Sequence, residues 1–156
     1  MMSLKIKMVV MLLVAFVALP TFAYAEELSR ATVKEIKGEV KFLKSGSADW
    51  SKLEPGTVLS EGDSLKTAID SQVTLTLTGA AKTAEITVRP ESEFVFKKFH
   101  HDAANQLEST MLDVQLGGVL VKAEKLIGES KFEVKTPTSI VGIRGTTFEV
   151  QVSKKK

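Results

Sequence analysis

Residues 71–78 read Ser-Gln-Val-Thr-Leu-Thr-Leu-Thr, an alternation of apolar and polar side chains that decides the fold. On an extended chain, Val73, Leu75 and Leu77 lie on one face and the threonines lie on the other. Such alternation with β-branched partners is typical of a strand that has one buried face. The stretch therefore predicts a strand of a sheet that covers a hydrophobic core.

The same pattern extends along the chain in both directions. Further candidate strands cover 32–37, 39–44, 84–88, 94–99, 112–116, 119–123, 132–136 and 147–152. Between them stand clusters that favour turns: Ser45-Gly46-Ser47, Glu54-Pro55-Gly56, Glu61-Gly62-Asp63, Thr78-Gly79, Arg89-Pro90 and Gly117-Gly118. We expect 102–108 to form a long hairpin loop and 122–127 to end a strand. The sequence predicts an all-β fold of about ten short, mostly antiparallel strands in a sandwich or roll.

Two segments, one around Gly38 and one around Gly117, have similar sequence patterns. Val33-x-x-Ile36-x-Gly38-x-Val40-x-Phe42 is similar to Leu112-x-x-Gln115-x-Gly117-x-Val119-x-Val121. The similarity is either an internal repeat or the common pattern of hairpins, and one pair of units does not establish a period.

The first 25 residues have the pattern of a helical secretory signal peptide. Two lysines precede the apolar run 8–19, which Pro20 ends, and Ala-Tyr-Ala follows at 23–25. A membrane-spanning helix needs roughly 20 apolar residues, so this run is too short for an uncleaved anchor. We expect cleavage between Ala25 and Glu26, which leaves residues 26–156 as one periplasmic or secreted domain with no stable membrane span.

Charge and cysteine content exclude several classes of protein. Lys5 and Lys7 of the leader account for the formal net charge of +2, so the expected mature domain is electrically balanced. Binding to nucleic acid depends on clustered Lys and Arg, and the one cationic run, 154–156, is typical of a solvated tail. Because the chain contains no cysteine, we expect no disulfide, no thiol chemistry and no lipoprotein anchor.

The sequence carries no pattern typical of an enzyme. The two histidines, His100 and His101, are adjacent, so on a strand they point to opposite faces and do not readily share a metal. No nucleophile elbow, phosphate-binding glycine loop or zinc-protease helix occurs. A pair of carboxylates assembled across strands is the alternative that stays open. We expect no catalytic residue, no cofactor and no metal.

An ordered set of motifs resembles the FecR-like domain, the extracytoplasmic module of ferric citrate regulators. The set spans 31–152 and consists of Val33 to Val40 with Gly38, Trp50-x-x-Leu53, Pro55-Gly56-x-x-Leu59, Glu61-Gly62-Asp63-x-Leu65-x-Thr67, Ser71-x-Val73-x-Leu75-x-Leu77, Pro90-x-Ser92, Thr136-Pro137 and Gly142-x-Arg144-Gly145-Thr146-x-Phe148. The resemblance implies a structural role for its signature residues, which are Gly62, Asp63, Thr136, Pro137, Gly142, Arg144, Gly145 and Thr146.

Two residues have a second interpretation as interaction sites. The Arg144 guanidinium could bind an oxyanion or a partner carboxylate, although internal pairing that locks the last hairpin is the favoured interpretation. Trp50 is expected to fold over the edge of the core, and an exposed Trp50 would instead be a candidate hot spot.

The resemblance implies a non-enzymatic envelope module that contacts or senses an unidentified envelope protein in signalling or assembly. The alternative is a domain that binds a small molecule or a glycan in a pocket. The leader stands where the regulators carry an anti-sigma segment and a membrane helix, so we expect a released domain that does not signal directly to a sigma factor.

Overall fold

The computed structural model describes residues 30–78, 84–102, 107–123, 126, 128–145 and 147–153. The predicted signal peptide 1–25, its cleavage site between Ala25 and Glu26, the lysine tail and Thr146 lie outside these residues. Every regular element among the described residues is a strand, so the predicted all-β class is confirmed.

The described residues form twelve strands, against the predicted ten or so. They are β1 (Arg30–Lys37), β2 (Val40–Leu43), β3 (Ser51–Lys52), β4 (Val58–Leu59), β5 (Ser64–Thr67), β6 (Gln72–Thr78), β7 (Ala84–Val88), β8 (Glu93–Asp102), β9 (Leu107–Ala123), β10 (Lys131–Lys135), β11 (Ile140–Ile143) and β12 (Thr147–Val152).

The strands form one curled sheet, whose two halves we name sheet I and sheet II. Sheet I has the order β4-β1-β6-β7-β9-β12, and sheet II has the order β3-β2-β5-β8-β9-β10-β11. Neighbouring strands are antiparallel except β9 and β10, which are parallel. β9 belongs to both halves: its first part pairs with β8 and β10, and its last part pairs with β7 and β12.

The hydrophobic core draws on both halves in a single cluster. In β6 the predicted alternation is confirmed, because Val73, Leu75 and Leu77 are buried and the polar residues between them are half-buried. In sheet II the rings of Phe94 and Phe96 are fully buried and meet edge to face, with centroids 5.1 Å apart. Each half therefore presents its apolar face to the other.

The predicted turn at Gly117-Gly118 is wrong, because both glycines lie inside the 17-residue strand β9. Gly117 has a φ of 80°. A Cβ atom there would lie 2.5 Å from the Ser92 Cα atom and 2.7 Å from the Glu91 carbonyl oxygen. The glycine thus bends β9 closely past the 90–92 corner, and the strand leaves β8 and joins β7 without a hairpin.

The two echoing glycines have matching surroundings. Gly38 links β1 of sheet I to β2 of sheet II, and Gly117 lies where β9 passes between the same halves. The amide after each glycine donates to a buried serine: Glu39 N to Ser71 Oγ, and Gly118 N to Ser92 Oγ, both at 2.9 Å. The sequence echo is therefore also a geometric one.

Other boundaries differ from the prediction. β8 and β9 pair as far as Asp102 opposite Leu107, so the expected loop at 102–108 is shorter than predicted. Strands β3, β4, β5 and β11 were not predicted, and each has only two to four residues.

Candidate interaction surface

The most distinctive motif of the sequence builds the turn between β10 and β11. Thr136 is buried, and its Oγ1 accepts a hydrogen bond from Ser139 N at 3.0 Å. Thr136 N donates to the Ser139 carbonyl oxygen at 2.8 Å. Pro137 is exposed in this turn, where its missing backbone N–H group is not required for a strand hydrogen bond. Thr136 and Pro137 therefore set the tight hairpin that presents β11.

β11 lies at the edge of sheet II, and β10 is its one strand partner among the described residues. Ile140 is 59% exposed and Val141 is 38% exposed. Only Ile143 of this strand is buried against the core. The free edge of β11 thus combines unpaired backbone groups with exposed apolar side chains, the combination that templates pairing with another chain.

Gly142 lies in the middle of β11, and neither its backbone conformation nor its neighbours require a glycine there. Its φ is outside the left-handed range, and a Cβ atom placed on it would meet no atom within 4 Å. Glycine weakens a strand because it packs nothing and has high entropy when unfolded. The strand therefore has its smallest residue at a position where the face of the edge is open.

Arg144 follows β11 directly and is exposed. The guanidinium makes no ion pair with any described residue, and the internal pairing of Arg144 with an acid or with carbonyls stays a prediction. Lys131 and Lys135 are exposed on the adjacent β10, with Glu133 half-buried between them. The hairpin thus presents an excess of positive charge beside its apolar edge.

Gly62, Asp63 and Gly145 are the other signature residues within the described part of the chain. Asp63 is buried, and its two carboxylate oxygens accept hydrogen bonds from Ser45 N and Ser60 N, both at 2.8 Å. Gly62 N donates to the Phe96 carbonyl oxygen at 2.7 Å. Gly145 is half-buried with a φ of 88°.

Trp50 lies at the opposite edge of sheet II from Arg144, so the structure does not bring these two predicted residues together. The indole is half-buried, with the Lys66 ammonium 4.5 Å from the ring centroid. It also lines a hollow of about 390 Å³, together with parts of β2 and β3.

Sequence reasoning missed a second concavity, where β10 and β12 diverge from the same edge of β9. β10 pairs with β9 as far as Asp113, and β12 begins its pairing at Gly117. The groove between them has a volume of about 710 Å³ and is lined by Gln115, Leu116, the 136–139 turn and 150–153. The sequence feature that could have indicated this groove is the Gly117-Gly118 pair, because it marks the bend of β9 that opens the groove.

Candidate metal ligands do not gather in the described residues. His100 is exposed, and the side chain of His101 lies outside what the structure describes. No group of three or more His, Asp or Glu side chains that could hold a metal occurs in the described part. Asp113 is buried and accepts a hydrogen bond from the Gln115 side-chain amide.

Over the described ranges, no helix is long and apolar enough to cross a membrane. No curated protein and no solved structure matches the chain significantly. The FecR protein family model matches residues 63–156. That match includes the Thr136-Pro137 turn, β11 and Arg144, and it begins after Trp50 and Gly62. Because it covers more than half of the chain, we conclude that this protein belongs to the FecR family of envelope signalling-related domains.

Proposed function

We propose that the chain is a non-enzymatic, exported module that binds another envelope protein through the free edge of β11. The observation that carries the proposal is the exposure of Ile140 and Val141 on an edge strand. Family membership supports a regulatory role outside the cytoplasm. Export by the leader, with cleavage between Ala25 and Glu26, belongs to the same proposal.

The geometry favours strand addition as the mode of binding. An extended segment of the partner would pair with the free backbone groups of β11, and its apolar side chains would cover Ile140 and Val141. Because Arg144 is exposed at the end of the strand, a segment with an acidic residue at the matching end fits best.

Site-specific photocrosslinking in cells tests this proposal. A benzophenone amino acid replaces Ile140 in one variant and Val58 in a control variant. Val58 is 49% exposed on β4, an edge strand of sheet I, so it matches Ile140 in exposure and setting. We expect a discrete crosslinked protein from position 140 and none from position 58.

A second substitution makes the test sharper. Gly142→Lys places a charged side chain where space is open, so the fold should tolerate it, whereas a lysine on an edge strand opposes pairing with another chain. Loss of the crosslink with an unchanged melting temperature supports the proposal. Identical products from positions 140 and 58, or a crosslink unaffected by Gly142→Lys, would contradict it.

The hollow at Trp50 favours ligand binding as a second candidate function. A concave site with an aromatic wall and converging polar groups is the usual form of a small-molecule site.

A further inference from the structure

Three lysines stand side by side across sheet II. Lys52 of β3 is the direct partner of Lys41 of β2, and Lys41 is the direct partner of Lys66 of β5. Directly opposed residues of antiparallel strands share one face, with Cβ atoms about 5 Å apart, and like charges in such positions are destabilising. We name this set the lysine row.

Glutamates of the chain neutralise the positive charge of the lysine row only in part. Lys66 has Glu93 at 3.2 Å, and Lys41 has Glu39 at 3.4 Å. Lys52 is exposed and makes no ion pair with any described residue. The end of the row therefore keeps a positive charge that has no ion-pair partner in the described part of the domain.

Trp50 lies immediately before β3, two residues before Lys52. The hollow of about 390 Å³ is lined by Trp50, Ser51, Lys52, Lys41 and the 38–40 bend. It thus brings together one aromatic ring, two ammonium groups, the carboxylate of Glu39 beside Lys41, and exposed backbone. A volume of this size is enough for a single small ring compound.

We propose that this hollow binds a sugar ring that carries an anionic group, a carboxylate or a phosphate. Lys52 holds the anion, Lys41 beside it stays paired with Glu39, and the indole of Trp50 packs against the apolar face of the ring. A single aromatic side chain gives a neutral sugar little affinity, so the charge is the part of the ligand that the site selects. This site lies at the opposite edge of sheet II from β11 and does not depend on binding there.

The test uses the fluorescence of Trp50, the only tryptophan of the chain. Four probes are titrated at constant ionic strength: glucuronate, glucose 6-phosphate, glucose and inorganic phosphate. We expect a saturable change in Trp50 emission with at least one of the two charged sugars. Comparison of those two identifies the anionic group. Glucose is expected to give no saturable change, and inorganic phosphate a response at least fivefold weaker in apparent affinity.

Two variants separate a site from general attraction. Lys52→Gln should weaken the binding of the charged sugar at least fivefold. Lys131→Gln removes an exposed lysine of β10 and should leave binding unchanged. No saturable change with either charged sugar, an equal response to glucose or to inorganic phosphate, or equal binding by Lys52→Gln would overturn the proposal. None of these results bears on the crosslink at position 140.

Discussion

At the scale of single residues, Ser92 beside the bend of β9 connects two strands through hydrogen bonds. Ser92 is buried, and its Oγ accepts a hydrogen bond from Gly118 N at 2.9 Å. Its own amide donates to Thr67 Oγ1 at 2.9 Å. One residue therefore fastens the corner at 90–92 to both β5 and β9.

Removal of this hydroxyl should be costly. Ser92→Ala leaves the buried Gly118 amide without its acceptor, and an unsatisfied buried donor costs about 1–3 kcal/mol of the free energy of unfolding. Urea denaturation measures the change. Ser153→Ala, at an exposed position, is the control and should stay within about 0.5 kcal/mol of the wild type. Equal stabilities for the two variants would contradict this role.

Gly117 allows the conformational and steric costs of a side chain to be separated. Gly46 has nearly the same φ, 79° against 80°, but a Cβ atom there would meet nothing within 4 Å. Gly46→Ala should therefore cost about 1–2 kcal/mol, the penalty for a left-handed residue. Gly117→Ala adds a clash with the Ser92 backbone and should cost clearly more in the same urea experiment. Equal losses of stability in the two variants would show that the 90–92 corner shifts to accommodate the added side chain.

One surface carboxylate has a defined response to pH. The hydrogen bond from Lys34, at 2.8 Å, holds the pKa of Glu85 below its ordinary value, with a smaller contribution from the charge of Lys122. A lowered pKa in the folded state gives a stabilisation that is present above the unfolded pKa and is lost as pH falls through the folded one.

This effect should be small, because both side chains of the pair are partly exposed to water. NMR titration of the Glu85 carboxyl carbon should give a pKa below that of glutamate in an unfolded peptide. Lys34→Gln should move it back toward the ordinary value, while the melting temperature hardly changes. A titration curve identical in the two proteins would refute the assignment.

At the scale of elements, sequence patterns predicted long strands better than edges. The predicted bounds of β7 and β12 match the structure, because their side chains alternate between two environments. β3 and β4 have two residues each and are too short to show alternation. β11 was missed because three of its four residues are exposed. The glycine pair in β9 was misinterpreted because turns and strand bends both require glycine.

The candidate site was predictable in a similar, partial way. Trp50 and Arg144 stood out as single residues in the sequence. The lysine row did not, because Lys41, Lys52 and Lys66 become neighbours only through strand pairing. The apolar edge of β11 likewise depends on its position in sheet II, which the topology sets and the local sequence does not.

At the scale of the whole molecule, the two halves share one core and one strand, so they should unfold together. Trp50 fluorescence reports on sheet II, and far-ultraviolet circular dichroism reports on all strands. We expect coincident denaturation curves from these two measurements, as two-state unfolding requires. Phe96→Leu should shift both curves equally to lower urea, because Phe96 is buried in the common cluster. Separate midpoints would show that the halves are independent.

The shared strand also has a mechanical consequence. β12 runs antiparallel to β9 and ends at Val152, opposite Gly117. Tension applied at the C-terminal end would open this pairing one rung at a time, starting beside the groove, whereas β9 is held on both edges along most of its length. A pull from that end would therefore peel away β12 first and lay bare the backbone of β9, which would turn an applied force into a newly exposed strand.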